Sequence, residues 1–174
     1  MNPRPRGTAA EPAFARLLET FRPDLLRFSL WLSRDRAVAE DVVQETLIRA
    51  WKSKNELKDP AAVRPWLLTI ARREHARLYE RKRLPTVDVE SVEALGDPAL
   101  SSDGDAGLLD LRRAILKLPD EYREPLVLQV LGGFTTAEIG AELGLTQAAV
   151  LTRLFRARNR LRGIYGLEPA QESE

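Results

Sequence analysis

Apolar residues recur every three or four positions along most of the chain, which is the spacing of one face of an α-helix. In the first thirty or so residues the pattern runs through Phe14, Leu17, Leu18, Phe21, Leu25 and Trp31. It predicts a second helical segment over about Arg36–Lys52. A long helix is predicted from the Asp59-Pro60 pair to about Arg83, because Asp and Pro are favoured at helix starts. Pro65 is expected to restart or kink this helix.

Residues 84–107 break the pattern, since they are rich in Pro, Gly, Ser and Asp and show no periodicity. Apolar spacing resumes at Leu108, and Pro119 ends the first helix of the second half. The sequence therefore predicts an all-α protein of two small helical domains, 12–84 and 108–166. A flexible acidic linker at 85–107 joins them, and residues 1–11 and 167–174 are predicted to be disordered tails.

The stretch FTTAEIGAELGLTQAAV predicts a helix-turn-helix in the second domain. Thr135 and Glu138 have the spacing of a capping box, and Gly144 suits a turn that needs positive φ. Thr146 is placed to cap a second helix, which could enter the major groove of DNA. If Val150 points inward, the outward positions are Ala148, Thr152, Phe155, Arg156 and Asn159, with Leu151 and Arg153 beside them. A helical hairpin with a cationic solvated face is the alternative.

Composition excludes several classes of site. Hydrophobic residues make up 44% of the chain, enough for real cores. The absence of cysteine excludes disulfides and thiolate metal sites, and the single histidine, His75, argues against a histidine metal site. No metal, cofactor or catalytic residue is predicted. No apolar run is long enough to span a bilayer, and the N-terminus lacks the apolar core of a signal peptide, so we expect a cytoplasmic protein without membrane insertion.

Charge is strongly segregated along the chain. Residues 64–83 carry seven basic and two acidic side chains, a net charge of +5. Residues 86–110 carry seven acidic and no basic side chains, and residues 147–162 carry five arginines and no acid. Two basic segments separated by an acidic one predict two sites for a polyanion.

The helix predicted over Arg36–Lys52 has one unexplained face. Its apolar residues account for the inner side, while Asp41, Gln44, Glu45 and Ile48 recur at helical spacing on the outer side. Taken alone, this stripe is typical of a solvated surface. A docking surface for a partner is the alternative.

Taken together, these segments resemble the extracytoplasmic-function sigma factors, the small two-domain initiation factors of bacterial RNA polymerase. The resemblance runs from about Phe14 to Tyr165. AEDVVQETLIRAW is similar to the family's region 2.2, WLLTIARREHARLYERKR to regions 2.3 and 2.4, and LPDEYREPLVLQVLGGFTTAEIGAELGLTQAAVLTRLFRAR to region 4.

The resemblance implies a role for each surface. The polymerase-binding residues would be Asp41, Gln44, Glu45, Ile48 and Arg49, meeting the clamp helices of the β′ subunit. The −10 element would be melted and held as a single strand by Lys54, Asn55, Glu56, Lys58, Arg64, Trp66, Arg73, Arg77 and Arg81. The −35 element would be read as duplex by Thr146, Gln147, Ala148, Leu151, Thr152, Arg153, Phe155 and Arg156. Trp66 is expected to belong mainly to the core, and His75 to lie on the solvated or DNA-facing side.

The implied partners are core RNA polymerase, through the β′ clamp helices and the β flap, promoter DNA and an anti-sigma factor. The acidic linker would act as a nucleic-acid mimic inside the polymerase or as a simple tether. Three departures from the family pattern, Arg73, Leu151 and Pro125, leave the promoter sequence open, and Pro125 is expected to shift the start of its helix. Two other functions stay open: a stand-alone helix-turn-helix regulator and a sigma-like adaptor that binds an anti-sigma factor. No nucleophile–base pair, phosphate loop or metal cluster indicates an enzyme.

Overall fold

The structure is a computed structural model that describes residues 10–82 and 106–166. Eight α-helices and no strand occur in these two stretches, which confirms the predicted all-α fold. The helices are α1 (Ala10–Thr20), α2 (Arg22–Ser33), α3 (Arg36–Lys52), α4 (Val63–Lys82), α5 (Ala106–Lys117), α6 (Asp120–Val130), α7 (Thr136–Leu143) and α8 (Gln147–Ile164). The first four form an N-terminal domain, and the last four form a C-terminal domain.

The N-terminal domain is built around α2, α3 and α4, and α1 packs across α2 and α3. Leu25, Phe28, Val42 and Leu67 are each at most 2% exposed at its centre. Burying a side chain of this size contributes about 1.5–3 kcal/mol, so this core holds the three helices together. The Asp35 carboxylate caps α3 by accepting a hydrogen bond from the Val38 N–H at 2.9 Å.

The connection between α3 and α4 consists of two short 3₁₀ turns, Lys54–Glu56 and Pro60–Ala62. The Asp59 carboxylate accepts a hydrogen bond from the Ala61 N–H at 2.9 Å, as expected of a cap. The α-helix itself begins at Val63. Pro65 is therefore in its first turn, where the missing N–H has no helical partner to lose. This geometry agrees with a helix that restarts near Pro65.

The C-terminal domain packs α6 and α7 against α8. Leu128, Ile139 and Val150 are fully buried between them. Pro125 lies inside α6, but that helix begins ahead of it, at Asp120. The expected shift of the helix start at Pro125 is therefore wrong. The packing of Pro125 in the buried interior compensates for the one helical hydrogen bond that it cannot donate.

The two domains are docked on each other through α2 and α6, and their buried residues form one continuous core. The sequence predicted only a tether between them. Most of that predicted linker, together with the terminal tails, lies outside the described residues. Two predicted bounds are wrong by two residues. Ala10 and Glu11, predicted to lie in a disordered tail, belong to α1, and residues 106–107, predicted to lie in the linker, belong to α5.

Candidate functional site

The outer face of α3 carries an exposed acidic stripe, defined as Asp41, Gln44, Glu45 and Ile48. The opposite face is buried, so the helix is held rigidly while the stripe faces outward. Ile48 is 41% exposed and is the apolar residue of the stripe. Arg49 is also exposed, but its Nε lies 2.6 Å from the carboxylate of Glu74 on α4. Arg49 therefore ties α3 to α4.

An apolar groove of about 800 Å³ runs beside the acidic stripe, between α1 and α3. Leu18 and Leu47 form its floor, and Ile48 and Trp51 form its rim. The Trp51 ring packs against Phe14 with centroids 6.1 Å apart. Gln44 and Ile48 of the stripe line this groove, so a partner bound to the stripe could also contact the apolar surface.

The turn between α3 and α4 presents three of the residues predicted for the −10 element. Asn55, Glu56 and Lys58 are exposed there. The fourth residue, Lys54, contacts the protein instead: its Nζ lies 2.6 Å from the Glu11 carboxylate and 4.9 Å from the centre of the Trp51 ring. Trp66 is half-buried against the core, in line with the expected structural role.

Three of the arginines predicted to bind the −10 element, Arg64, Arg73 and Arg77, are paired with protein acceptors. Arg73 makes two hydrogen bonds to the Glu142 carboxylate, at 3.1 and 2.6 Å, which raise the pKa of the guanidinium. Arg77 pairs with Glu74 at 3.1 Å. Arg64 pairs with Asp24 at 2.7 Å. Arg81 lies in the last turn of α4, and its side chain is outside the described part of the structure.

His75 is half-buried where the two domains meet, so the expectation of a solvated or DNA-facing position is wrong. It lines a small cavity of about 220 Å³ between α4 and α6. The titratable groups around that cavity are Arg72, Tyr79, Glu80, Asp120, Arg123 and Glu124. Burial, reinforced by the charge of Arg123, lowers the pKa of His75 from 6.5 to about 4. His75 is therefore neutral at pH 7 in the docked form.

We expect the docked form to lose stability as the pH falls from about 6.5 to about 4. Over this window an exposed His75 binds a proton, whereas the buried one does not, so protonation favours separation or unfolding. Thermal melts of the wild type and of His75→Gln across pH 4–7 measure the effect, because glutamine keeps a polar side chain without titrating. The wild type should lose several degrees more than the variant. Parallel curves would exclude this role for His75.

The helix-turn-helix has the predicted local geometry. The Glu138 N–H donates to the Thr135 hydroxyl at 3.2 Å, and the Glu138 carboxylate accepts from the Thr135 N–H at 2.7 Å. That second bond lowers the pKa of Glu138. Gly144 has φ of 65°, and the Thr146 hydroxyl caps α8 by accepting from the Ala149 N–H at 3.2 Å. Gly140 lies so close to the turn that an added Cβ would be 2.7 Å from the Leu145 carbonyl oxygen.

The recognition helix α8 presents most of the predicted −35 residues to solvent. Its inner side is fixed by Val150 and Leu154, which are at most 1% exposed. The exposed predicted residues are Thr146, Gln147, Ala148, Leu151, Thr152 and Arg156, while Arg153 and Phe155 are partly covered. The Gln147 amide donates to the Thr136 hydroxyl at 2.9 Å, which links the start of α8 to α7.

Sequence reasoning missed the residues that join the domains. Arg34 and Arg123 are buried, and across the domain boundary Arg72 pairs with Glu124 and Arg73 pairs with Glu142. One signal was available for Arg123, which stands among the apolar residues of α6 at a position that helical spacing turns inward. Its partners in the other domain, the carbonyl oxygens of Trp31 and Leu32, could not be predicted, because they lie about 90 residues earlier in the chain. Within residues 10–82 and 106–166, no helix is long and apolar enough to cross a membrane.

Comparison with known proteins gives concordant matches for both halves. Residues 17–84 match the Sigma-70 region 2 family, and residues 108–161 match the Sigma-70, region 4 family. The chain is 35% identical over 160 residues to the ECF RNA polymerase sigma factor SigL of Mycobacterium tuberculosis, covering 88% of this chain and 90% of that protein.

Two further proteins extend the comparison. The probable RNA polymerase sigma factor RfaY of Xanthomonas campestris pv. campestris is 32% identical over 160 residues, which cover 87% of this chain and 40% of that longer protein. The sigma factor RpoE of Bartonella quintana, solved in complex with the anti-sigma factor NepR, matches with a TM-score of 0.65 and 27% identity over 90% of this chain and 98% of its own. The chain therefore belongs to the ECF family of RNA polymerase sigma factors.

Proposed function

We propose that the chain binds core RNA polymerase through the acidic stripe of α3 and directs it to promoters by reading two DNA elements. The observation that carries this proposal is the presence, on one chain, of an exposed acidic stripe on the first domain and an exposed recognition helix on the second. A helix-turn-helix alone would support any DNA-binding regulator. The stripe adds a second surface whose carboxylates and amide suit a partner rich in arginine.

The polymerase contact combines charge with apolar surface. Asp41 and Glu45 can each accept bidentate hydrogen bonds from arginine, and Gln44 can both donate and accept. Ile48 and the groove beside it supply the apolar area that such an interface needs at its centre. We assign this surface to the β′ clamp helices. The β flap is assigned to the apolar surface of the C-terminal domain, where Val130, Ile164 and Tyr165 are exposed.

The DNA contacts are divided between the domains. The turn at Asn55, Glu56 and Lys58, together with the arginines of α4, would hold the −10 element as a single strand, because unstacked bases need polar edges and a cationic path for the backbone. The exposed face of α8 would read the −35 element in the major groove. Joining two weak contacts in one holoenzyme makes the second effectively intramolecular, so the pair binds far better than either alone.

This role involves no catalysis by the chain itself, and we place it in the cytoplasm, where bacterial RNA polymerase transcribes. We also expect control by an anti-sigma factor. The related RpoE was solved with such a partner bound, which supports this expectation.

Run-off transcription on genomic promoter fragments tests the proposal. Core polymerase with the chain should give defined transcripts that core alone does not. A stand-alone regulator would instead protect an operator without polymerase, and a sigma-like adaptor would bind an anti-sigma factor but no DNA. If no fragment gives a polymerase-dependent transcript, the proposed function is refuted.

We expect Arg156→Ala to weaken holoenzyme binding to an active promoter without changing sequence preference. Arg156 is exposed on α8, where a guanidinium would contact phosphate. Losing one phosphate contact should reduce the slope of log affinity against log salt by about 1. Arg113→Ala, on the exposed surface of α5, is the matched control. An unchanged salt slope for Arg156→Ala would remove this residue from the DNA contact.

A further inference from the structure

The recognition helix α8 has an uncharged beginning and a cationic remainder. Residues 147–152 carry no charged side chain, whereas residues 153–162 carry five arginines. In a helix-turn-helix, the first turns of the recognition helix meet base edges in the major groove. On duplex DNA the uncharged turns of α8 would therefore face the bases, and the arginines would be left to contact the phosphates.

The outward surface of these uncharged turns is apolar at its centre. Leu151 is 52% exposed although Val150 next to it is fully buried, because successive residues of a helix point about 100° apart. Ala148 lies one turn earlier on the same face and is exposed as well. Leu151 is therefore the longest apolar side chain that this face offers to a base.

The polar side chains beside Leu151 already have hydrogen bonds within the protein. The Thr152 hydroxyl donates to the Ala148 carbonyl oxygen at 3.0 Å, and the Gln147 amide donates to the Thr136 hydroxyl at 2.9 Å. Thr152 cannot donate to a base without giving up its bond to the helix backbone, and the Gln147 amide is held toward α7. Contact with a base at this point of α8 is therefore left to the apolar side chain of Leu151.

An apolar side chain distinguishes among the four bases in the major groove. Guanine is read there by arginine or lysine and adenine by an amide, whereas thymine alone presents a methyl group. A leucine placed against guanine or cytosine would cover polar groups without replacing their hydrogen bonds to water, which costs free energy. Against thymine, the leucine instead buries one apolar group on another.

We propose that Leu151 is a specificity-determining residue of α8, which selects thymine at one position of the duplex element by apolar contact with the thymine 5-methyl group. This inference rests on the proposed function, because it assigns a base to the helix that reads the duplex. Leu151 acts both by attraction to thymine and by exclusion of the bases whose polar edges it would cover.

Removing one methyl group from the DNA tests this contact directly. The probe is a promoter fragment that gives a transcript in the run-off assay, with the thymines of its upstream duplex element replaced one at a time by deoxyuridine. Deoxyuridine pairs as thymine does and lacks only the 5-methyl group. At the position that Leu151 reads, the holoenzyme should lose about three- to fivefold in affinity, the effect of burying one methyl group.

Three variants of Leu151 assign that loss to this side chain. Leu151→Ala should bind the thymine and deoxyuridine fragments equally at that position, because alanine is too short to reach the methyl group. Leu151→Met is the conservative control, which keeps an apolar side chain of similar volume and should keep the difference. Leu151→Arg should move the preference at the same position to guanine.

The ratio of the two affinities separates base reading from a structural role. A structural role of Leu151 would lower the affinity of Leu151→Ala for both fragments alike and leave their ratio as in the wild type. If every deoxyuridine replacement affects the wild type and Leu151→Ala equally, the proposal is overturned and Leu151 is solvated surface. Failure of the proposed function has a different signature, since no fragment would then give a polymerase-dependent transcript.

Discussion

Replacing Asp41 and Glu45 with alanine should lower affinity for core RNA polymerase by about thirtyfold or more. Both carboxylates are exposed on a helix whose opposite face is buried, so their removal should leave the fold of the domain intact. At an interface, loss of one partner of a close charge pair costs roughly 2–5 kcal/mol, much of it from leaving the other charge unpaired. The double variant loses two such contacts on one helix face. The apolar contact of Ile48, which it keeps, cannot replace them.

The measurement is equilibrium binding of labelled chain to core polymerase, together with run-off transcription. Asp110→Ala with Glu121→Ala is the matched control, because it removes one aspartate and one glutamate that are exposed in the other domain. Thermal unfolding should be the same for both double variants and the wild type. Unchanged core affinity in the Asp41/Glu45 variant would mean that the acidic stripe is only solvated surface.

Gly140→Ala should destabilise the C-terminal domain by about 1–3 kcal/mol and reduce recognition of the −35 element. The new Cβ would lie 2.7 Å from the Leu145 carbonyl oxygen, which is backbone and cannot swing aside. The turn between α7 and α8 would have to move, and the recognition helix would shift with it. Ordinarily alanine stabilises a helix relative to glycine, so the sign of the effect isolates the steric clash.

Gly163→Ala provides the matched control, since this glycine also lies in a helix but nothing is within 4 Å of an added Cβ. That variant should be slightly more stable than the wild type, by up to about 1 kcal/mol. Urea unfolding measures both changes, and promoter binding by holoenzyme measures the functional effect. If the two alanine variants were equally stable, the close approach at Gly140 would not constrain the turn.

Local features of the fold were predicted well because their causes are local. Helical spacing of apolar residues, the Thr135–Glu138 capping box and the turn glycine Gly144 each act over a few residues, and the structure confirms all three. The acidic stripe was predicted for the same reason, since burial of one helix face fixes the direction of the other. Its role as a docking surface stays a prediction, supported by membership of the family.

Predictions failed where distant parts of the chain meet. His75 was expected on the solvated or DNA-facing side of its helix, but in the structure α6 covers it. The assignment of Arg64 and Arg73 to DNA, which the resemblance implies, stays a prediction, and the structure adds acceptors for both in the C-terminal domain, at Leu131 and Glu142. Pro125 was expected to shift a helix start, but buried packing keeps the helix continuous around it.

The sequence by itself determined the helices, the helix-turn-helix and the family, since periodicity, caps and motif order are properties of neighbouring residues. Only the tertiary structure decided how the two domains sit on each other, and hence which arginines are occupied. The physical reason is that Arg123 reaches the carbonyls of Trp31 and Leu32 across about 90 residues of chain. No local pattern specifies such a contact, because it depends on the shapes of two completed domains.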